Sequence, residues 1–305
     1  MTTTPVQKSA LPWEITETII DHLYSDVVTL STCSSVCSAW LIRCRHHMFY
    51  RVQLWPWRVQ RFLELANEKG CTFTNHVRHV EMDDAKVKTY GKVTEGSGEQ
   101  KLPFKEAISQ LHPPCFVGVQ SIQIRNVDWT SFSIHEQGVL RGHLAKFLKL
   151  SRLEFRGVVF HDLRELVRIV DAFSGLQHLT AYVSFKKYFE HTLVSAHTLG
   201  FSRNLRSIEL GTEDSLPLVL SCIVGREGHG YLQVLDLQNI KPDHHQYVKR
   251  VLKKSGKHIQ DLTLGFANEK IPLASHGTSQ SSLSLCKPYY DYRRACKHDR
   301  PVVSQ

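Results

Sequence analysis

Apolar residues recur in one short pattern along the middle of this 305-residue chain. An apolar residue is followed by two others, a second apolar residue, one other and a third apolar residue. The seven apolar triplets are Val77/Val80/Met82, Val119/Ile122/Ile124, Leu150/Leu153/Phe155, Leu176/Leu179/Ala181, Leu205/Ile208/Leu210, Leu232/Leu235/Leu237 and Ile259/Leu262/Leu264. Their first positions lie 42, 31, 26, 29, 27 and 27 residues apart. The alternation at the end of each triplet predicts a short strand in every unit.

Helix-like stretches of suitable length separate the strands in six of the seven units. Two examples are His161 to Phe173 and Asp243 to Lys254, where apolar residues recur at helical spacing. A strand followed by a helix buries only one face, and stacking such units supplies the missing contacts. The pattern therefore predicts an α/β fold, a solenoid of strand–helix units over residues 55–266.

The period near 27 and the L-x-x-L-x-L core resemble a leucine-rich repeat. The asparagine that usually follows the last leucine is seen best at Asn239, so the resemblance is to a degenerate array. A doubly wound α/β domain also alternates strands and helices and stays open as an alternative. Its strands usually read as continuous apolar runs, which favours the solenoid.

Residues 11–54 have a different pattern, which predicts three short helices followed by the strand-like stretch Arg51-Val52-Gln53-Leu54. Pro12 suits a first helical turn, because its missing N–H would be unpaired there. Ser25-Asp26 can cap a second helix over residues 27–31. The apolar residues of the three helices include Ile15, Ile19, Ile20, Leu23, Val28, Leu30, Val36, Trp40 and Ile42. Three helices of this length cannot bury all this surface against one another, which leaves some of it for a partner.

This segment resembles the F-box, in the style of fungal F-box proteins. The matching residues are Leu11-Pro12-x-Glu14-Ile15, Ile19-Ile20-x-x-Leu23, Val36-Cys37-x-x-Trp40 and the closing Phe49, Val52 and Leu54. The resemblance implies docking on the Skp-type adaptor of a cullin-RING ubiquitin ligase. The residues that it implies as contacts, or as supports of contacts, are Leu11, Pro12, Ile15, Ile19, Leu23, Val36 and Trp40. The alternative is an ordinary helical cap on the domain that follows.

Three further segments lack a regular apolar pattern. Residues 1–10 are polar, and we expect them to be disordered. Residues 83–103 are charged and rich in glycine, which predicts an inserted loop. Residues 267–305 are rich in Ser, Gly and His and then in basic residues, and we expect this tail to be largely disordered. Because a solenoid needs a cap on its last unit, either this tail folds back over the end or the array is a shortened one.

The formal net charge of +9 raises nucleic acid as a possible partner. Its two basic concentrations, Lys249 to Lys257 and Arg293 to Arg300, do not alternate with aromatic residues as an RNA-binding sheet would. We therefore favour a solvated helix face and a basic tail, and predict no nucleic-acid partner. No signal peptide is apparent, and the apolar run from Leu216 to Val224 is too short for a bilayer. The eight cysteines form no CxxC pair, which indicates reduced thiols in a cytoplasmic or nuclear protein.

No motif of catalysis or metal binding stands out. Cys33, Cys37, Cys44, His46 and His47 lie close together, but helical spacing of the cysteines favours buried thiols over zinc. The chain lacks a Gly-x-Ser-x-Gly elbow, a His-Glu-x-x-His motif and a phosphate loop with Lys-Ser/Thr. We predict a non-catalytic protein with no metal site and no cofactor.

The residue between the last two apolar residues of each triplet predicts a binding surface, because strand side chains alternate between the two faces. We call these residues the polar row: Glu81, Gln123, Glu154, Thr180, Glu209, Asp236 and Thr263. The predicted contacts for a protein target, on the concave face of the solenoid, are Glu81, Glu154, Tyr182, Glu209 and Asp236. Glu209 and Asp236 favour a basic target segment. The alternative is a solvated strand face without a ligand.

Together these features predict the substrate-recognition adaptor of an SCF-type ubiquitin ligase. Its expected partners are a Skp-type adaptor, cullin through that adaptor, and a protein substrate, with no membrane. One rival is a non-catalytic scaffold or leucine-rich-repeat module without ubiquitin transfer. The other is a basic nucleic-acid-binding module that uses the helix over Lys249 to Lys257.

Overall fold

Three consecutive helices begin the part of the chain that the structure describes. This structure is a computed structural model, and it describes residues 12–55, 58–69, 71–84, 104–110, 116–186, 201, 204–211, 216–225 and 231–267. The helices are α1 (Trp13–His22), α2 (Val27–Ser34) and α3 (Ser38–Tyr50). Pro12 directly precedes α1, and Asp26 caps α2 by accepting a 3.0 Å hydrogen bond from the Thr29 amide. Both helix starts agree with the sequence.

Strands and helices follow one another over the described residues from 51 to 266. In order they are β1 (Arg51–Leu54), α4 (Val59–Asn67), β2 (His79–Asp83), α5 (Phe104–Gln110), β3 (Ser121–Arg125), α6 (Ile134–Leu144), β4 (Arg152–Phe160), α7 (Leu163–Asp171), β5 (His178–Phe185), β6 (Ser207–Leu210), α8 (Leu216–Gly225), β7 (Val234–Ile240), α9 (His245–Ser255) and β8 (Asp261–Phe266). Short 3-10 turns lie at Phe73–His76, Trp129–Ser131, Pro242–His244 and Gly256–His258. No helix among the described residues is long and apolar enough to cross a membrane.

The eight strands form one parallel sheet whose spatial order follows the chain from β1 to β8. A doubly wound sheet contains a point at which the strand order reverses. The described sheet has no such point, so the doubly wound alternative does not describe this fold. The protein is an α/β structure in which parallel strands alternate with helices, an order that is compatible with a strand–helix repeat.

The strand register places equivalent residues of successive units side by side. Val80 pairs with Ile122, and Ile208 pairs with Leu235, in the alignment that the seven apolar triplets predict. The polar row is also in register, as Glu209 pairs with Asp236. One face of the sheet therefore carries apolar rows that pack with the helices in a continuous core.

An eighth strand, β1, starts the sheet at the strand-like stretch that the sequence predicts after the three helices. Val52 and Leu54 pair with Val80 and Met82 of β2. With Phe49 they repeat the apolar triplet, 28 residues before Val77. The sequence predicts the strand-like character of this stretch, but its assignment to the F-box-like segment hid its place as an extra unit of the sheet.

Asn239 joins two neighbouring units. Its backbone has a positive φ of 59°, which asparagine tolerates better than most residues. Its side-chain amide donates a 3.2 Å hydrogen bond to the carbonyl oxygen of Gly211 in the preceding unit. The asparagine that the sequence singles out thus satisfies a backbone group one unit away.

Several segments with sequence predictions lie outside the described residues. They are residues 1–10, Leu11, residues 85–103 of the predicted loop and the tail from residue 268 onwards.

Candidate functional site

The helices α1–α3 enclose a small apolar core of their own. Ile20, Leu30 and Cys44 are buried at its centre, and Leu23, Trp40 and other partly buried side chains pack around them. These three central residues come from three different helices, so this core sets how the helices are arranged.

An ionic cluster also holds α1 to α3. Asp21 accepts two 2.6 Å hydrogen bonds from Nε and Nη2 of Arg43, and its Oδ1 lies 2.8 Å from Nε2 of His47. The hydrogen bond from Arg43 is the main cause that lowers the pKa of the Asp21 carboxyl. Asp21 therefore stays ionised and keeps α1 against α3.

Many other apolar side chains of α1–α3 are exposed. We call them the exposed apolar set: Trp13 64%, Ile15 49%, Ile19 49%, Val27 57%, Val28 79%, Val36 61% and Ile42 66% exposed. Ile15 and Ile19 lie one helical turn apart and therefore share a face of α1. So many exposed apolar side chains in one short segment are typical of a protein-binding surface.

The structure divides the predicted adaptor-binding residues into two groups. Pro12, Ile15, Ile19 and Val36 are exposed. Leu23 and Trp40 are half-buried against the small helical core. Residues of the first group are open to a partner, while those of the second hold the helices that present them.

The polar row lies on the face of the sheet opposite the apolar rows. At its β1 end, the acidic charges are neutralised. Glu81 is 3% exposed and accepts hydrogen bonds from Arg51 at 2.9 Å, Arg125 at 2.7 Å and Gln53 at 3.2 Å. Asp83 is also buried, and it accepts a 2.8 Å hydrogen bond from Asn126. A partner at this position would therefore meet the arginines that cover Glu81, a predicted target contact, and not its carboxylate.

The centre of the polar row mixes both signs of charge. Nε of Arg156 lies 3.5 Å from the carboxylate of Glu154. The Arg156 guanidinium also lies 5.1 Å from the centre of the Tyr182 ring. Arg156 therefore links two of the predicted target contacts.

The β7 end of the polar row is acidic. Glu209 accepts hydrogen bonds from the Tyr182 hydroxyl at 2.5 Å and from the Thr180 hydroxyl at 3.1 Å. Asp236, its register partner, accepts a 2.5 Å hydrogen bond from the Gln238 amide. Within the described residues, no basic side chain forms an ion pair with Glu209 or Asp236. All their hydrogen-bond donors there are neutral, unlike those of Glu81.

Burial and neighbouring groups raise the pKa values of Asp236 and Tyr182 at the acidic end of the polar row. Burial raises the pKa of Asp236, the Gln238 hydrogen bond opposes that shift, and the charge of Glu209 adds to it. Burial and the hydrogen bond to Glu209 also raise the pKa of Tyr182. The tyrosine therefore stays protonated and remains a donor to Glu209. Glu209 and Asp236 are consequently the charges of the row that a cationic group would relieve most.

The Cys/His stretch over residues 33–47 runs from α2 into α3. Cys44 is buried, Cys37 is exposed and Cys33 is intermediate, so only part of the predicted thiol burial is seen. Burial lowers the pKa of His46 to about 4, and the charges of His47 and Arg43 add to the shift. In the described ranges, no three His, Cys, Asp or Glu side chains come together as metal ligands.

Arg51 and Gln53 are polar-row partners that the sequence analysis missed. Both belong to β1 and reach Glu81 on the next strand. The signal that could have found them is the apolar triplet Phe49/Val52/Leu54, which marks a strand before the first predicted unit.

Comparison with known proteins gives little further information. No family model matches the chain, and no curated protein matches it. One solved structure with a partial likeness is a structural-genomics crystal structure of a Bacteroides fragilis protein, with 15% sequence identity and a TM-score of 0.33. The likeness covers 48% of this chain and 44% of that chain, so this chain spans less than half the length of that protein. A likeness of this size carries no argument about function.

Proposed function

We propose that this protein is the non-catalytic substrate-recognition subunit of an SCF-type cullin-RING ubiquitin ligase. The observation that carries the proposal is the exposed apolar set on α1–α3, in a segment whose sequence resembles the F-box. Ile15 and Ile19 alone would contribute on the order of 2 kcal/mol if a partner buried their exposed halves. The partner is a Skp-type adaptor, which connects the chain to cullin.

The adaptor-binding residues then have two roles. Pro12, Ile15, Ile19 and Val36 contact the adaptor, together with Leu11 at the start of the motif. Leu23 and Trp40 act indirectly, because they pack inside the helices that hold the contact residues in place.

The strand–helix units form a degenerate leucine-rich-repeat solenoid that presents the protein target. Glu209 and Asp236 bind a basic segment of the target, because their described hydrogen-bond donors are all neutral. Glu154 and Tyr182 contact the same segment beside them, and Glu81 contributes through the arginines around it.

The mechanism is proximity. Two binding surfaces on one semi-rigid body raise the effective concentration of a target lysine near the charged ubiquitin. The chain itself needs neither a catalytic residue nor a cofactor for this role. We place its action in the cytoplasm or nucleus, where cysteines remain reduced.

Co-purification with a Skp-type adaptor tests the first surface. We expect residues 1–305 to form a stoichiometric complex that Ile15→Asp/Ile19→Asp abolishes. The matched control is Ile134→Asp/Leu148→Asp, which introduces the same charges at residues that are 87% and 90% exposed outside α1–α3. Failure of the folded wild type to bind, or equal binding by the first variant, would contradict the proposal.

Charge reversal tests the second surface. Glu209→Lys/Asp236→Lys should lose the captured target and retain the adaptor. Unchanged capture would show that the acidic end does not select the target. A non-catalytic scaffold would instead bind the adaptor without any protein whose ubiquitination depends on this chain.

A further inference from the structure

Four basic side chains lie together where α3 packs on the first strand–helix units. They are Arg45 and His46 of α3, His76 in the 3-10 turn at Phe73–His76, and Arg78 just before β2. We call these four residues the basic cluster. The ring centres of His46 and His76 lie 5.6 Å apart. Two stretches that are distant in sequence thus bring their basic groups to one place.

Contacts between α3 and the 3-10 turn hold the cluster in shape. Phe49 of α3 stacks on Phe73 of the turn, with ring centres 4.5 Å apart. Nη1 of Arg45 donates a 3.2 Å hydrogen bond to the hydroxyl of Thr72. Because these contacts form within the chain, a ligand at the cluster would not have to order the two stretches itself.

Arg78 is fixed through one end of its guanidinium. Its Nη1 donates to the carbonyl oxygens of Asn75 at 2.7 Å and Val77 at 3.1 Å. A side chain at position 118 would collide with this group, so Gly118 provides the space that the guanidinium occupies. An arginine has five N–H donors. Those on Nε and Nη2 of Arg78 have no acceptor among the described residues.

Acidic side chains do not neutralise the basic cluster within the described residues. None of its four members forms an ion pair there. The carboxylate of Asp21, on α1, is bound by Arg43 and His47, which are neighbours of the cluster on α3. The positive charge of the two arginines is therefore left for a ligand.

The two histidines report the same excess of positive charge. Burial lowers the pKa of His46 to about 4, and the charges of its cationic neighbours add to the shift, namely those of His47, Arg43, His76 and Arg78. Burial also lowers the pKa of His76, with the charges of Arg78 and Arg45 adding to it. Both rings are therefore neutral at pH 7, and each can donate one N–H.

We propose that the basic cluster binds a phosphate monoester, with Arg45, Arg78 and the two histidines as donors. Arginine suits this group because its planar fork matches phosphate oxygens. A phosphate monoester carries nearly two negative charges at pH 7 on one compact group. Four donor side chains at one point fit such a dianion better than a nucleic-acid backbone, whose charges are spread along the strand.

NMR titration of the His46 imidazole in the full-length chain tests this site. The probes are inorganic phosphate and a blocked phosphoserine, each compared with chloride at equal ionic strength. A bound dianion should raise the pKa of His46 by about one unit or more, because a nearby opposite charge favours the protonated ring. His46→Gln identifies the signal. Saturation by either probe supports the site, and tighter binding of phosphoserine would assign it to a phosphorylated protein segment.

Paired variants test which residues hold the anion. Arg45→Gln/Arg78→Gln should weaken phosphate binding by about tenfold or more, because it removes both charged donors. The matched control, Arg58→Gln/Arg61→Gln, removes the same charge from two exposed residues at the start of α4 and should bind like the wild type. Thermal melts in phosphate-free buffer check that the variants fold. The titration of the wild type needs no variant.

Three results would overturn the proposal. Equal titration curves of His46 in phosphate and in chloride would show that no anion binds there. Equal phosphate binding by Arg45→Gln/Arg78→Gln would place the anion elsewhere on the chain. A single-stranded oligonucleotide that raises the pKa of His46 more than phosphoserine does, at the same phosphate concentration, would assign the cluster to nucleic acid. The measurement needs no adaptor, so its outcome is independent of the proposed ligase function.

Discussion

Tyr182 donates a 2.5 Å hydrogen bond to the carboxylate of Glu209, which lies 27 residues later on the neighbouring strand. The Thr180 hydroxyl holds the other carboxylate oxygen at 3.1 Å, and Arg156 lies over the tyrosine ring. A carboxylate at the acidic end of the polar row is thus fixed in orientation by neutral donors. It can meet a cationic partner with little further loss of side-chain entropy.

Tyr182→Phe should lower the free energy of unfolding by about 1 kcal/mol, because it removes a hydrogen bond to a carboxylate and leaves the ring in place. Urea denaturation measures the change. Tyr231→Phe is the control, since Tyr231 is 65% exposed. Equal midpoints for the two variants would mean that the Tyr182 hydroxyl does not stabilise the sheet.

Glu81→Gln should lower the free energy of unfolding by about 2 kcal/mol, since it removes the buried charge between Arg51 and Arg125. The loss stays below that of a fully buried pair because Arg51 is half-exposed. Glu209→Gln should cost less than about 1 kcal/mol, because it also removes the repulsion with Asp236. Denaturant titration of both variants checks the order, and a larger loss for Glu209→Gln would contradict this account.

Asp236→Asn should raise the melting temperature at pH 7. Burial raises the folded-state pKa of Asp236, so the folded chain binds this proton more tightly than the unfolded chain. Stability linked to this group therefore falls as the pH rises from 3.8 through the folded pKa, and then stays level. Thermal melts should show that the advantage of the variant at pH 7 shrinks as the pH approaches 3.8. Asp261→Asn on β8 is the control, and an advantage that grows in acid would reverse the sign.

Leu30→Ala should destabilise α1–α3 by about 3 kcal/mol, because Leu30 is fully buried and its truncation leaves a cavity. Val28→Ala on the same helix should change stability by less than about 0.5 kcal/mol, since Val28 is 79% exposed. Hydrogen exchange of α1–α3 amides measures both. A similar loss for the two variants would show that α2 packs through a different face.

The sheet register could be predicted because one spacing sets several properties at once. The triplet that ends in Leu235 and Leu237 marks the strand, its apolar face and the polar residue Asp236 between these two leucines. The pairing with Ile208 then follows from counting equivalent positions. The stretch Arg51–Leu54 could be predicted as strand-like, but not as the first strand of the sheet, because Val52 and Leu54 also fit the end of the F-box-like motif.

Burial within the helical segment was harder to predict. Ile19 and Ile20 are adjacent in sequence, yet Ile19 is half-exposed and Ile20 is buried. Adjacent side chains point about 100° apart around a helix axis, and the rotation of α1 against the other helices decides which one is covered. The neutralisation of Glu81 also depends on how far Arg51 and Arg125 reach across strands, which the order of residues does not specify.

The chain-ordered sheet has a consequence for how this protein can change in length. Each strand pairs only with the strands of the units before and after it, and Asn239 reaches no further than Gly211. Duplication or loss of a whole unit would therefore move all later units together and preserve every other pairing. Insertion of a few residues within a strand would instead exchange its two faces whenever their number is odd. We expect related chains to differ by complete units and by loop length, while the residues within each strand keep their count.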